Sequence, residues 1–132
     1  MLTEFQKGYI IKILVVEDEP SSRMILSLTL KKSGHEVIEA ENGRDAWALF
    51  QREPVPVVIS DWNMPEMGGM DLCRLIRASD QTASTYIILL TGVENAEEKK
   101  KCLSAGANDY MLKPLDKNLL EESILIAQKM LS

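Results

Sequence analysis

Five short apolar runs alternate along the chain with stretches of helical periodicity. Residues 10–16, 36–40, 55–60, 86–90 and 109–112 read as strands. The first, third and fourth are nearly continuous Val, Ile and Leu, the pattern of strands covered on both faces in a parallel sheet. The second alternates polar and apolar residues and suits an edge. Five β-then-α units with right-handed crossovers predict an α/β fold, a doubly wound five-stranded parallel sheet with five helices.

The helices fill the gaps. Pro20 fits a first helical position, Met24, Ile25 and Leu28 supply a stripe, and Gly34 suits a C-terminal stop. Asn42 can cap a second helix that buries Ala46, Trp47 and Phe50. A third begins near Gly69 and buries Leu72, Cys73 and Ile76. The fourth, residues 95–105, offers mainly Cys102 and Leu103, which predicts the most loosely held helix. The fifth starts after Asp116 and runs to the end.

Four polar features stand at the ends of these runs. They are Glu17-Asp18 after the first, Asp61 after the third, Thr91 after the fourth and Lys113-Pro114 after the fifth. In a parallel sheet all four meet at one edge, where open α/β sheets bind ligands. Asp61 is not placed as a helix cap, because Pro65 keeps Met64 extended and the helix waits until Gly69. An exposed loop therefore separates acid from helix, which suits a carboxylate held out for attack on phosphorus. Glu17 and Asp18 add charge that is unfavourable beside Asp61 without a cation. Oxygen ligands with room for water suit Mg2+, with Mn2+ as the alternative. Neither cysteine nor His35 is near, so a zinc set is not indicated, and His35 reads as an ordinary turn residue. Thr91 can donate its hydroxyl to a phosphoryl oxygen. The Lys113 ammonium can pair with the acids at rest and with the phosphoryl group afterwards. The Lys113-Pro114 bond is a candidate cis peptide.

Length and charge narrow the class. A chain of 132 residues with 45% hydrophobic positions is one domain with a packed core. Its net charge of -5 gives no electrostatic footprint for nucleic acid, and Lys99-Lys100-Lys101 after Glu97-Glu98 reads as a solvated helix face. No run approaches the roughly 20 apolar residues of a membrane span. The N-terminus lacks a signal-peptide layout. Cys73 and Cys102 read as core residues of a reducing cytosol, so the expected location is cytoplasmic.

With these residues in order, the chain resembles the receiver (phosphoacceptor) domain of two-component response regulators, of the chemotaxis-regulator-like kind. The resemblance rests on Ile13-Leu14-Val15-Val16-Glu17-Asp18-Glu19-Pro20, Asp61-Trp62-Asn63-Met64-Pro65 and Gly106-Ala107-Asn108-Asp109-Tyr110-Met111-Leu112-Lys113-Pro114. It implies the flavodoxin-like strand order 2-1-3-4-5. It divides the chain into an N-terminal extension, residues 1–9, and a receiver domain, residues 10–132, whose last helix can continue into an output domain or linker. It further implies that Asp61 accepts a phosphoryl group from a histidine kinase or histidine phosphotransfer protein. Asp18, Asp61 and the backbone carbonyl of Asn63 would hold Mg2+ directly, with Glu17 acting through water. Thr91 and Lys113 would bind the phosphoryl oxygens, and Tyr110 would be the switch aromatic that turns inward as Thr91 moves. The implied role is phosphorelay signalling, not catalysis beyond weak autophosphatase activity.

Two positions depart from the family pattern. Met67-Gly68-Gly69 stands where many relatives have Met-Asp-Gly, which predicts a looser loop before the third helix. Val93, two residues after Thr91, replaces a frequently polar side chain near the attacking water. With Asn63 it is expected to tune dephosphorylation, and Val93 to slow it.

The last helix has more apolar positions than one buried stripe requires: Leu119, Leu120, Ile124, Leu125, Ile126, Ala127, Met130 and Leu131. Leu120, Ile124, Ala127 and Leu131 also follow coiled-coil-like spacing. This predicts a partner surface on helices 4 and 5, for a second copy or an output domain, with no direct nucleic-acid or membrane contact. Three rival functions are weaker. A phosphatase with an aspartate nucleophile needs an acid where Asn63 stands. A flavodoxin-like carrier needs a hydroxyl- and glycine-rich loop where Glu17-Asp18-Glu19-Pro20 stands. A non-phosphorylated receiver-like binding module would leave five chemically competent positions unused.

Overall fold

The computed structural model describes residues 10–64, 66–79 and 84–131. The extension assigned to residues 1–9 and the influence of Pro65 on Met64 lie outside them. In chain order the elements are β1 Lys12–Val16, α1 Pro20–Lys32, β2 Glu36–Ala40, α2 Gly43–Arg52 and β3 Val57–Asp61. They continue with α3 Gly69–Ala78, β4 Tyr86–Thr91, α4 Ala96–Ser104, β5 Asp109–Leu112 and α5 Lys117–Leu131. All strands are parallel, in the order β2-β1-β3-β4-β5, as expected. Asp61 and Thr91 lie within their strands rather than just beyond, a shift of one residue.

Alternation along each central strand divides the core in two. Leu14, Val58, Ile87 and Leu89 face Ala46, Phe50, Leu72, Cys73, Ile76 and Cys102 of α2, α3 and α4. Ile13, Val15, Val57, Ile59, Ile88 and Leu90 face Leu26, Leu30, Leu120, Ile124 and Ala127 of α1 and α5. Each fully buried aliphatic side chain contributes about 1.5–3 kcal/mol. The two cores together therefore outweigh the cost of burying one carboxylate at the sheet edge, several kcal/mol per ion after relaxation.

The helix caps follow the sequence in part. Asn42 accepts from the Asp45 N–H at 2.7 Å and caps α2. The α1 cap is Glu19, whose carboxylate accepts from the Ser21 and Ser22 N–H groups at 3.2 and 2.6 Å. Those bonds hold the Glu19 carboxyl below its usual range. Gly34 has φ 93, the left-handed geometry of a C-terminal stop.

Three packing expectations need correction. The α1 stripe is not Met24, Ile25 and Leu28, which are exposed, but Leu26, Ser27 and Leu30. The run 24–30 is apolar on two sides, so spacing alone could not choose between them. In α5 the coiled-coil-like positions Leu120, Ile124 and Ala127 are the domain's own core, while Leu119, Leu125, Ile126 and Met130 are exposed. In α4 only Cys102 is buried, and Leu103 is exposed.

Gly68, the N-cap of α3, and Gly69, its first residue, pack closely against the backbone that follows β3. The Gly69 N–H donates to the Trp62 carbonyl at 2.9 Å. A Cβ on Gly69 would lie 2.4 Å from the Asp61 carbonyl oxygen, and one on Gly68 would lie 2.8 Å from that of Trp62. Among the described residues, no helix is long and apolar enough to cross a membrane.

Candidate functional site

The parallel register delivers four strand ends to one edge. Backbone bonds fix each of them: Glu17 N–H to Ala40 O at 3.1 Å, Trp62 N–H to Leu90 O at 2.9 Å, and Lys113 N–H to Thr91 O at 2.7 Å. Because side chains alternate across a strand, the pairing also fixes which residues turn toward the edge.

Glu17, Asp18 and Asp61 each offer a carboxylate oxygen within 4.8 Å of the others. Their environments differ. Glu17 is 1% exposed, Asp61 partly buried and Asp18 exposed. The Lys113 ammonium donates to Glu17 and to Asp61 Oδ2, both at 3.0 Å. Asp61 Oδ1 accepts from the Asn63 N–H at 3.3 Å, so the loop after β3 folds back on the acid. The Lys113-Pro114 bond is cis.

Burial pushes the Glu17 carboxyl above its usual range. The Lys113 ammonium opposes this, and the Asp61 charge adds to the rise. For Lys113, burial pulls downward, but the bonds and charges of Glu17 and Asp61 together carry it upward. The two groups are linked because Glu17 and Asp61 share the one Lys113 ammonium. The remaining negative charge and the all-oxygen donor set fit a hard divalent cation such as Mg2+. A thiolate–imidazole set is not available here. Cys73 and Cys102 are buried in the core, and burial pushes the Cys73 thiol up to about 11. His35 Nδ1 instead accepts from the Ile11 N–H at 3.4 Å at the turn before β2.

Thr91 is fully buried, and its hydroxyl oxygen accepts from the Val93 N–H at 3.2 Å. The Val93 carbonyl in turn accepts from the Tyr110 hydroxyl at 2.7 Å. Val93 itself is exposed, with its backbone joining β4 to the aromatic of β5. The structure therefore groups Glu17, Asp18, Asp61 and Lys113 directly. Thr91 and Tyr110 meet through Val93.

Two polar arrangements escaped the sequence reading. Arg23, on the sheet side of α1, donates to the Glu17 carbonyl at 2.9 Å. It also pairs with Glu39 at 3.4 Å and Glu41 at 3.7 Å. A lone arginine among hydroxyl and apolar residues was the only available signal. Behind the site, Ser123 of α5 donates to Asp109 of β5 at 2.6 Å and lies 3.3 Å from the Tyr86 hydroxyl. No local pattern announces a buried contact between residues so far apart in sequence.

The chain matches the family described as response regulator receiver domain over residues 13–125. It is 41% identical over 115 residues to a chemotaxis protein CheY homolog of Campylobacter jejuni, covering 86% of this chain and 88% of that protein. The solved structure of chemotaxis protein CheY4 of Vibrio cholerae superposes with TM-score 0.84 at 34% identity, covering 89% of this chain and 98% of that one. The receiver domain of sensor histidine kinase PA1611 from Pseudomonas aeruginosa, with magnesium in its active-site cleft, superposes with TM-score 0.84. It is 28% identical over 91% of this chain and 98% of that one.

Proposed function

Because the chain belongs to the response regulator receiver domain family, we propose that it is a phosphorylation-dependent switch whose acceptor is Asp61. The observation that carries this is the Lys113 ammonium at 3.0 Å from both Glu17 and Asp61, within a cluster of three carboxylates. The donor is a phosphohistidine on a histidine kinase or phosphotransfer protein. An Asp61 carboxylate oxygen forms the new bond to phosphorus, and the P–N bond to the imidazole breaks, returning its electron pair to the histidine nitrogen.

Positioning and charge neutralisation supply the rate. Asp18, Asp61 and the Asn63 carbonyl would hold Mg2+, with Glu17 acting through water, and the ion when bound would offset charge on the transferring phosphoryl group. Lys113 holds the acids together at rest and a phosphoryl oxygen afterwards. The Thr91 hydroxyl donates to another. As it turns toward the phosphoryl group it releases the Val93 N–H, and the loop that Tyr110 grips is free to move. Two conformations of this loop, biased by one local charge, make a switch. The readout surface is the groove of about 670 Å³ lined by Tyr110, Leu119 and Ile126. It takes an output domain or a second copy. The chain works in the cytoplasm and is no enzyme beyond slow loss of its own phosphate.

Intact mass after incubation with phosphoramidate tests this. One phosphoryl group should appear on wild type with Mg2+, less without it, and none on Asp61→Asn. A folded protein that gains no mass would instead be a non-phosphorylated binding module. Rapid turnover of the donor would identify a phosphatase.

A further inference from the structure

Asp61 is held at its backbone as well as at its carboxylate. Ser60, the residue before it, is fully buried. It shares the sheet face of Val58, two residues earlier, and pairs in register with Val16 of β1 and Leu89 of β4. A hydroxyl among aliphatic side chains is unfavourable unless it is bonded. Ser60 Oγ donates to the Asp61 carbonyl at 2.9 Å. The register of β1 with β3 ends at Val16 and Ser60, so that carbonyl stands beyond the ladder, and the hydroxyl takes the place of the next strand donor. The carbonyl also abuts α3, where a Cβ on Gly69 would lie 2.4 Å from it. The peptide joining Asp61 to Trp62 is thus fixed between a side-chain donor and the first residue of a helix.

The carboxylate of the same residue is held in another way. Lys113 donates to its Oδ2 at 3.0 Å, and the Asn63 N–H donates to its Oδ1 at 3.3 Å. These bonds must be exchanged when one oxygen bonds to phosphorus. The carbonyl takes no part in that bond, so the hold from Ser60 can last from the resting to the phosphorylated state.

We propose that Ser60 is a positioning residue for phosphoryl transfer, its hydroxyl keeping the Asp61 backbone fixed while the carboxylate changes partners. This rests on Asp61 being the acceptor. With the backbone fixed, the carboxylate turns only about its own side-chain bonds, and the attacking oxygen meets phosphorus from one direction. Without the hydroxyl the peptide can rotate, carrying the carboxylate and the Asn63 N–H with it. A misplacement of about 1 Å costs on the order of 100-fold in rate. Gly69 still restrains one side of the carbonyl, so the expected loss is smaller, about tenfold.

The test is phosphoramidate labelling of the full chain with Mg2+ over a range of donor concentrations, followed by intact mass. Ser60→Ala removes the hydroxyl and little volume, and Ser60→Thr retains the hydroxyl. Both are assayed at a temperature where circular dichroism shows them folded. In Ser60→Ala the maximal labelling rate should fall about tenfold. The half-saturating phosphoramidate concentration should stay within about twofold, because an interaction that aids only the transfer step leaves donor binding alone. Ser60→Thr should regain most of the wild-type rate. A hydroxyl that serves the fold alone would lower stability in urea and leave the maximal rate unchanged, and that result overturns the proposal. So does a Ser60→Thr chain as slow as Ser60→Ala, because the loss would then follow packing rather than the donor. Either result leaves the acceptor role of Asp61 standing. A wild-type chain that phosphoramidate fails to label removes that role, and the positioning role with it.

Discussion

The Arg23 guanidinium donates to the backbone carbonyl of Glu17 across 2.9 Å, joining the first helix to the acid pair that ends the first strand. The same side chain reaches Glu39 in the edge strand β2 and Glu41 just after it, so one cation fastens three segments.

Replacing Arg23 with Met keeps the stem and removes the donors. One buried bond from a charged group is worth about 1.5–3 kcal/mol, and the exposed ends of the ion pairs add little. We expect a loss of about 2 kcal/mol in urea unfolding, together with slower phosphoramidate labelling as the acid loop loosens. Unaltered stability would mean that Arg23 is not a fastening point.

Lys113→Met leaves buried Glu17 and Asp61 without their ammonium. Part of Lys113 is exposed, so the stability loss should be about 1–3 kcal/mol, below that for a fully buried pair. Addition of Mg2+ should raise Tm in both proteins, and more in the variant, where nothing else offsets the acids. The pH response adds a second readout. Glu17 titrates above its unfolded value in the fold. Its protonated form therefore favours folding, and that contribution fades as pH rises from the unfolded carboxylate value through the folded one. Loss of Lys113 should extend that fading to higher pH.

Gly69→Ala tests how tightly α3 is seated against β3. The new Cβ would meet the Asp61 carbonyl at 2.4 Å and the Trp62 Cα at 2.9 Å, both backbone atoms that cannot step aside. Overpacking of this kind costs about 1–3 kcal/mol. Because the displaced carbonyl belongs to the acceptor residue, labelling should fall further than unfolding stability indicates.

His35 predicts a slope in the opposite sense to Glu17. Burial lowers its pKa, and its Nδ1 is an acceptor for the Ile11 N–H, which only the neutral ring can provide. The contribution of the neutral ring is present above the ordinary histidine value near 6.5 and is lost as pH falls below it. Wild type should lose up to about 1.4 kcal/mol per pH unit there, and His35→Gln should flatten that slope. Equal slopes would show that the ring protonates freely in the fold.

Val93→Glu addresses the lifetime of the phosphorylated form. The exposed apolar side chain offers nothing to hold an attacking water. One orienting hydrogen bond of about 1 kcal/mol corresponds to roughly fivefold faster loss of phosphate. Loss at the wild-type rate, followed by intact mass over time, would refute this role for Val93.

The sheet and its site edge were legible because two signals agreed. Uninterrupted Val-Ile-Leu runs marked buried parallel strands, and polar residues punctuated the C-terminal end of four of them. Parallel pairing then left one way to collect Glu17, Asp18, Asp61, Thr91 and Lys113. Helix facing was less legible. In α1 both Ile25 and Leu26 are apolar, and only tertiary packing decides that Leu26 goes inside. The tie from Arg23 to Glu17 and the Ser123 bond to Asp109 were hidden for a related reason. Each joins residues whose proximity exists only once the helices lie on the sheet.

The bond from Ser123 to Asp109, with Tyr86 beside it, fastens the last helix to the final two strands. The exposed Ile126 and Met130 thus sit on a helix that is tied to β5, the strand leading directly into Lys113.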